Sequence, residues 1–166
     1  ATRRAITEKM EEDPTFYREF SELLEDTIRA YRERRLSERD YLNSVVDLAS
    51  KVARKDRGRE VPEPIRGDDD AQAFFGVLDT RLATSDGVQV SGDDAAHIAL
   101  DIVGIIRAHL IVDIWSNDVA QNNLRNAIDD FFFDVLRDQK GIELPVEVLD
   151  DIELKIMDLA RARFAV

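Results

Sequence analysis

The stretch from Asp93 to Asp113, DDAAHIALDIVGIIRAHLIVD, decides the fold class of this chain. Two aspartates, which favour a helix N-terminus, precede a run whose apolar side chains fall on nearly every side of a helical projection. We therefore predict a helix that extends to about Asp113 and forms the buried centre of a bundle. Asp101, Arg107 and His109 interrupt the run, so it does not predict a membrane-spanning segment.

Amphipathic helices are predicted on the N-terminal side of this stretch. Asp13 and Pro14 form an N-cap followed by proline at the first helical position, and an apolar stripe of about six turns follows them. Ser37 starts a second helix with a capping-box-like pattern. Because few residues separate the two helices, we predict an antiparallel hairpin. The first stripe comprises Phe16, Phe20, Leu23, Leu24, Thr27, Ile28 and Tyr31, and the second comprises Tyr41, Val45, Leu48, Ala49 and Val52.

The C-terminal half continues the helical pattern, without sustained strand-like alternation. Three aspartates at 68–70 supply capping and first-turn carboxylates for a helix through Leu82. Ser116 or Asn117 caps a further helix, and Pro145 opens the last one. The predicted fold class is all-α, a helical bundle of about seven helices with antiparallel neighbours.

Charge divides the chain into two parts. Basic and acidic side chains number 14 each in residues 1–60, whereas 9 basic oppose 21 acidic side chains in 61–166, which therefore carry the whole net charge of −12. A segment rich in proline and glycine, 56–70, is typical of an irregular linker. We predict one helical domain in which 1–55 forms N-terminal helices including the hairpin, 56–70 a linker and 71–166 an acidic bundle. An acidic surface repels phosphate backbones, which disfavours nucleic-acid binding as the main role.

Residues suited to catalysis are scarce. The chain has no cysteine, which excludes thiolate chemistry and favours an intracellular, cytoplasmic location. No glycine-rich loop ends in Gly-Lys-Ser/Thr, so there is no P-loop. His97 and His109 each precede an aspartate by four residues, but about 18 Å of helix separates the two pairs, which therefore cannot bind one ion. We expect no catalytic residue, cofactor or metal ion in this piece, and no membrane partner.

One basic run offers a possible DNA contact. It comprises Arg54, Lys55, Arg57 and Arg59, next to the predicted linker. Such a run is compatible with phosphate contacts, and equally with a solvated helix end whose cations complement the helix dipole. No aromatic side chain lies among these residues, so a base-stacking platform is not predicted.

Phe133 and Leu154 do not fit the core stripes of their helices. Phe133 lies opposite its stripe, among polar side chains, and Leu154 has a similar position on the last helix. An apolar side chain on a polar helix face contacts either a second layer of the domain or a partner. The mid-helix pair Asp129-Asp130 needs no capping role, which adds it to the candidate site. The candidate partner interface comprises Asn126, Asp129, Asp130, Phe133, Arg137 and Leu154.

Several short strings resemble one known family. They are similar to the C-terminal helical domain of the R (motor and nuclease) subunit of type I restriction–modification enzymes. The strongest are VDIW at 112–115, NDV at 117–119, NAIDDFFFD at 126–134 and GIEL at 141–144, with weaker ones at 13–17 and 73–78. The chain departs from the family pattern where Ile114 is inserted in the usual Val-Asp-Trp, where Ala127 replaces an acidic residue, and where phenylalanines replace tyrosine.

The resemblance implies a role that needs no active site. In that family the nuclease and the ATP-driven DNA translocase lie N-terminal to this domain, and the parent enzyme is expected to use ATP and Mg²⁺. The helical domain is expected to dock the R subunit onto the methyltransferase core of modification and specificity subunits, so that DNA is reached indirectly. The start Ala-Thr-Arg-Arg, without an initiator Met, fits a piece of a larger protein. Two alternatives stay open: a DNA-contacting accessory domain of the same subunit, or a free-standing acidic helical interaction protein.

Overall fold

The computed structural model describes residues 2–56, 60–83 and 90–165. These residues form helices and connecting turns, and no strand occurs among them. The all-α prediction is therefore confirmed. The chain divides into two compact units, Ala1–Glu60 and Val61–Val166, which we call the first and second units.

The first unit contains the helices α1 (Thr2–Lys9), α2 (Pro14–Arg32) and α3 (Glu38–Arg54), all in mutual contact. Asp13 caps α2 by accepting the backbone N–H of Phe16, and the Ser37 hydroxyl caps α3 at 3.1 Å from the amide nitrogen of Asp40. Both helix starts lie where the capping patterns predicted them. The core of the unit comprises Ile6, Phe16, Tyr17, Phe20, Leu24 and Leu48.

Two residues of the predicted α2 stripe lie outside this core. Leu23 and Tyr31 are exposed, because the partner helices cover a narrower strip of α2 than its apolar pattern spans. Tyr31 stacks instead on Tyr41 of α3, with ring centroids 4.4 Å apart. This contact joins the end of α2 to the start of α3, as a hairpin requires.

The second unit contains α4 (Asp69–Ala83), α5 (Gly92–His109), α6 (Asp118–Asp130) and α7 (Val146–Arg163). Helix α5 packs against α4 and α6, and α7 packs against the same two helices. A 3-10 turn at Glu63–Ile65 belongs to this unit, because Ile65 is fully buried in its core. Part of the predicted linker 56–70 is thus built into the second unit. The largest fully buried side chains of the core are Ile65, Phe74, Leu78, Ile98, Ile102, Ile106, Ile114, Leu124, Ile128, Ile152 and Ile156.

Helix α5 differs from its prediction in length and in burial. It ends at His109 rather than near Asp113, and Asp113 has a left-handed backbone with φ of 60°. The helix is not surrounded on all sides either, because His97, Asp101 and Gly104 form an exposed stripe. The apolar residues beyond His109 are therefore released from the helix, and two of them, Ile111 and Val112, face solvent.

Helix α6 continues into a π-helical turn, Phe131–Arg137. The wider turn buries the adjacent Phe131 and Phe132 together, and leaves Phe133 exposed. Gly141, at φ of 66°, ends the turn, and the N–H of Ile142 donates to the Leu136 carbonyl at 2.8 Å. Glycine is favoured at this position because left-handed backbone is strained for most other residues.

Ion pairs link the C-terminal ends of α7 and α5 to the start of α4. Arg163 donates to Asp69 at 3.0 Å and to Asp70 at 2.9 Å, at the start of α4. Arg107, at the end of α5, donates to the other oxygen of Asp70 at 2.8 Å. Although burial opposes the charge of Arg163, these carboxylates raise its pKa above the ordinary value. The aspartates at 68–70 hence bind two arginines in addition to their predicted role, in which Asp68 caps the amide of Ala71 at 2.9 Å.

A second set of contacts docks a 3-10 turn, Ile114–Ser116, onto the same end of α7. The Trp115 indole Nε1 donates to the Phe164 carbonyl at 2.6 Å. Gln121, buried in α6, donates to the Ile114 carbonyl at 3.2 Å and accepts from Arg161 at 3.1 Å. The Arg161 guanidinium also lies over the Trp115 ring, 5.6 Å from its centroid. The connection between α5 and α6 is thereby held to α6 through Gln121 and to the end of α7 through Trp115.

Candidate functional site

Four of the predicted interface residues share the solvent side of one helix. Asn126, Asp130, Phe133 and Arg137 follow one another at spacings of four, three and four, and all four are exposed. We call this set the α6 face. Phe133 is 41% exposed, and the Arg137 guanidinium lies 5.2 Å from its ring centroid. Arg137 also donates to Asp138 at 2.8 Å, a bond that lowers the pKa of the Asp138 carboxyl. The aromatic anchor of the α6 face is therefore half covered by its own chain.

Asp129 does not belong to the α6 face. It is half-buried beside Glu153 of α7, and Arg125 lies 3.6 Å from the same glutamate. Burial raises the pKa of Glu153, and Asp129 raises it further by its charge and by accepting a hydrogen bond from the protonated carboxyl. Asp129 thus contributes to the contact between α6 and α7, whereas Asp130 is exposed, and the place of Asp129 in the candidate interface stays a prediction.

Leu154 lies on the solvent side of α7. It is 61% exposed, and two exposed aspartates, Asp150 and Asp158, precede and follow it by four residues. Side chains four apart share a helix face, so Leu154 is an apolar side chain within an acidic stripe. It stands on a different helix from Phe133, and no direct contact joins the two among the described residues.

Most basic side chains of the second unit contact other groups of the same unit. Six of its nine basic side chains form ion pairs within the unit, namely Arg81, Arg107, Arg125, Arg137, Lys155 and Arg163. Arg161 is held by Gln121 and Trp115, and Arg66 donates to the Val61 carbonyl. By contrast, many exposed carboxylates form no ion pair with any described residue, including those of Asp101, Asp113, Asp118, Asp130, Asp134, Glu147, Asp150 and Asp158. The described surface of this unit is consequently anionic.

Three of the exposed apolar residues that the pattern analysis missed lie close together in the sequence. They are Ile111, Val112 and Val119, which lie around the 3-10 turn between α5 and α6. Val119 could have been found, because it precedes Asn126 by seven residues and Phe133 by fourteen, which places it on the solvent side of α6. Ile111 and Val112 could not, because they continue the apolar run of α5 and looked like part of that helix.

The basic run is described only in part. Arg54 ends α3 and is exposed, and Lys55 follows it with a left-handed backbone at φ of 53°. Arg57 and Arg59 lie outside the described residues. The two histidines lie apart on α5, where His97 is exposed and His109 Nδ1 is 2.8 Å from the Ile105 carbonyl oxygen.

Two further properties concern the described residues. No three of their histidine, aspartate or glutamate side chains are grouped so that they could hold a metal ion. None of the helices they form is both long enough and apolar enough to cross a bilayer.

Comparison with known proteins supports the resemblance seen in the sequence. Residues 2–140 match the model of a family described as type I restriction enzyme HindI endonuclease subunit-like, C-terminal. No curated protein and no solved structure matches the chain significantly. The match covers most of the chain and ends before α7, although α7 supplies part of the core of the second unit.

Proposed function

The chain belongs to the family of C-terminal domains of type I restriction endonuclease subunits, and we propose that it acts there, in the cytoplasm, as a non-catalytic assembly domain. In this proposal the domain docks the ATP-dependent translocase and nuclease onto the methyltransferase core, formed by the modification and specificity subunits. ATP and Mg²⁺ are used by other domains of the parent enzyme, and these 166 residues touch DNA only through the assembled complex.

The observation that carries the proposal is the distribution of charge and apolar surface on the second unit. Eight of its nine cations are engaged internally, whereas exposed carboxylates lie near exposed apolar side chains such as Phe133 and Leu154. Opposite charge accelerates the encounter of two proteins, and buried apolar anchors supply most of the affinity. An anionic surface with apolar anchors suits a protein partner whose own surface is basic or mixed.

The proposal is tested by measuring binding of the chain to the purified methyltransferase core. We expect a saturable signal that weakens as salt is raised, and displacement by the intact endonuclease subunit. A double variant, Phe133→Ala with Asp130→Lys, examines the α6 face. An unchanged dissociation constant for this variant would remove the α6 face from the interface, and absence of binding by the wild-type chain would refute the docking role.

Direct contact with DNA is the competing function. Arg54 and Lys55 are exposed at the end of α3, in a unit whose formal charge is balanced. Salt-dependent retardation of duplex DNA by the chain, weakened by replacing Arg54, Lys55, Arg57 and Arg59 with alanine, would favour this alternative. The docking proposal expects no retardation at physiological salt, because the second unit repels phosphates.

A further inference from the structure

The exposed apolar residues Ile111, Val112 and Val119 flank the turn between α5 and α6, and we call these three residues the 111–119 patch. Val112 is 81% exposed and Val119 is 69% exposed, which makes them the most exposed of the large apolar side chains. The next apolar residues on either side are at least partly buried, since Leu110 packs against the core and Ile114 lies within it. The patch therefore stands out from a segment that is otherwise anchored.

The backbone under the patch is held by several hydrogen bonds. The N–H of Ser116 donates to the Asp113 carbonyl at 2.9 Å, and that of Asn117 donates to the Ile114 carbonyl at 3.0 Å. The Asn117 side chain then caps α6 by accepting the N–H of Ala120 at 3.1 Å. Together with the hydrogen bonds of Trp115 and Gln121, these contacts hold the backbone of the turn that carries the patch. A surface fixed before binding loses less conformational entropy when a partner covers it.

The charge next to the patch indicates what kind of partner fits. Asp113 and Asp118 follow or precede the exposed valines, and both are exposed without an ion pair among the described residues. Eight of the nine basic side chains of the second unit contact other groups of that unit, so these carboxylates favour a partner protein that supplies positive charge. The second unit of another copy of this chain offers the same anionic surface, and like charges oppose that pairing.

We infer that the 111–119 patch is the main apolar anchor of the docking surface, and that it enters an apolar pocket rimmed by arginine or lysine side chains on the partner protein. This inference rests on the proposed function and assigns the site of docking within it. Val119 and Phe133 lie about 20 Å apart along the solvent side of α6. A standard interface covers about 800 Å² per partner, so one interface is large enough to include both Val119 and Phe133. The patch is the stronger anchor because Phe133 is only 41% exposed, whereas Val112 and Val119 are 81% and 69% exposed.

The inference is tested with the double variant Val112→Ser and Val119→Ser, titrated against the methyltransferase core beside the wild-type chain. We expect the dissociation constant to rise at least about tenfold, as for a central anchor. Val146→Ser is the matched control, because Val146 is 63% exposed at the start of α7, and it should bind within about twofold of wild type. Thermal unfolding of all variants should coincide, since the replaced side chains are exposed.

Charge is tested separately with Asp113→Asn, because asparagine tolerates the left-handed backbone at this position. We expect slower association and a weaker salt dependence than for Asp158→Asn on α7. If the wild-type chain binds the core and the double serine variant binds equally well, the patch is not the anchor while the docking role stands. If the wild-type chain does not bind at all, the proposed function falls and the inference falls with it. If the serine substitutions instead convert a dimer of this chain into a monomer, the patch is a self-association surface and the partner assignment is wrong.

Discussion

Removal of α7 tests whether the last helix is an essential part of the second unit. A chain that ends at residue 140 keeps every residue matched by the family and lacks Val146–Arg163. It also loses the arginine and backbone contacts that hold the start of α4 and the 3-10 turn before α6. The large buried side chains that it loses are Leu144, Val148, Ile152, Ile156, Met157 and Leu159.

The loss in free energy of unfolding follows from that burial. Burying one such side chain contributes about 1.5–3 kcal/mol, so the six contribute roughly 9–18 kcal/mol. An extended unfolded chain overstates buried area by about 10–40%, which leaves roughly 5–16 kcal/mol. Whole domains are stable by about 5–15 kcal/mol. The truncation should therefore remove most or all of the stability of the second unit.

Hydrogen exchange and thermal unfolding by circular dichroism measure this outcome. In the chain that ends at residue 140, we expect amides of α4, α5 and α6 to exchange rapidly, without a cooperative unfolding transition of these helices. A chain that begins at Val61 is the matched control, because it keeps every residue of the described core of the second unit. Protected amides in α5 of the truncated chain, with cooperative unfolding near the wild-type temperature, would refute the view that α7 completes this core.

Two further predictions concern single side chains of the second unit. Arg163→Ala breaks bonds to two carboxylates at a side chain that is only 10% exposed, so we expect the free energy of unfolding to fall by about 2–3 kcal/mol and the melting temperature by about 10 °C. Arg137→Ala removes an exposed ion pair and should leave the melting temperature unchanged. Equal melting temperatures of the two variants would contradict the role of Arg163. Because the pKa of Glu153 is raised on folding, its ionisation opposes the folded state, and stability should fall as pH rises above the ordinary value of 4.5. Glu153→Gln should then melt at a higher temperature than wild type at pH 7, and this difference should disappear below about pH 4.5. Glu147→Gln, on the solvent side of α7, is the control and should melt at the wild-type temperature. If Glu153→Gln melts at or below the wild-type temperature at pH 7, the ion pair with Arg125 outweighs the effect of burial.

Helix starts could be predicted from the sequence because capping is a local interaction. Asp13, Ser37 and Asn117 each accept a backbone N–H from three residues later, as their side chains and positions indicated. The end of α5 could not be predicted in the same way. Ile111 and Val112 continue its apolar run, whereas the segment after the helix is held in part by the bond from Trp115 to Phe164, which is 49 residues away.

In the candidate site, too, features that depend on neighbours in sequence were predictable, and features that depend on distant residues were not. Phe133 was predictable because a helical projection places it opposite the core residues of its own helix, and that relation depends on neighbours in sequence. The half-buried position of Asp129 was not predictable, because its environment is set by Glu153, on another helix and 24 residues away. The engagement of Arg107 and Arg163 by the aspartates at 68–70 is likewise a property of the packed bundle, and it occupies two of the few cations of a unit whose composition is already acidic.

The contacts that stabilise the second unit also fix its candidate docking surface. Arg161 and Phe164, at the end of α7, hold Trp115, and Trp115 lies between the exposed residues Val112 and Val119. Loosening the turn would leave the apolar side chains of the patch unchanged, yet it would add the entropy of ordering that segment to the free energy of binding. A substitution at Trp115 should therefore weaken docking more than its effect on stability alone suggests. This coupling explains why a helix outside the matched range of the family matters to a surface that lies within it.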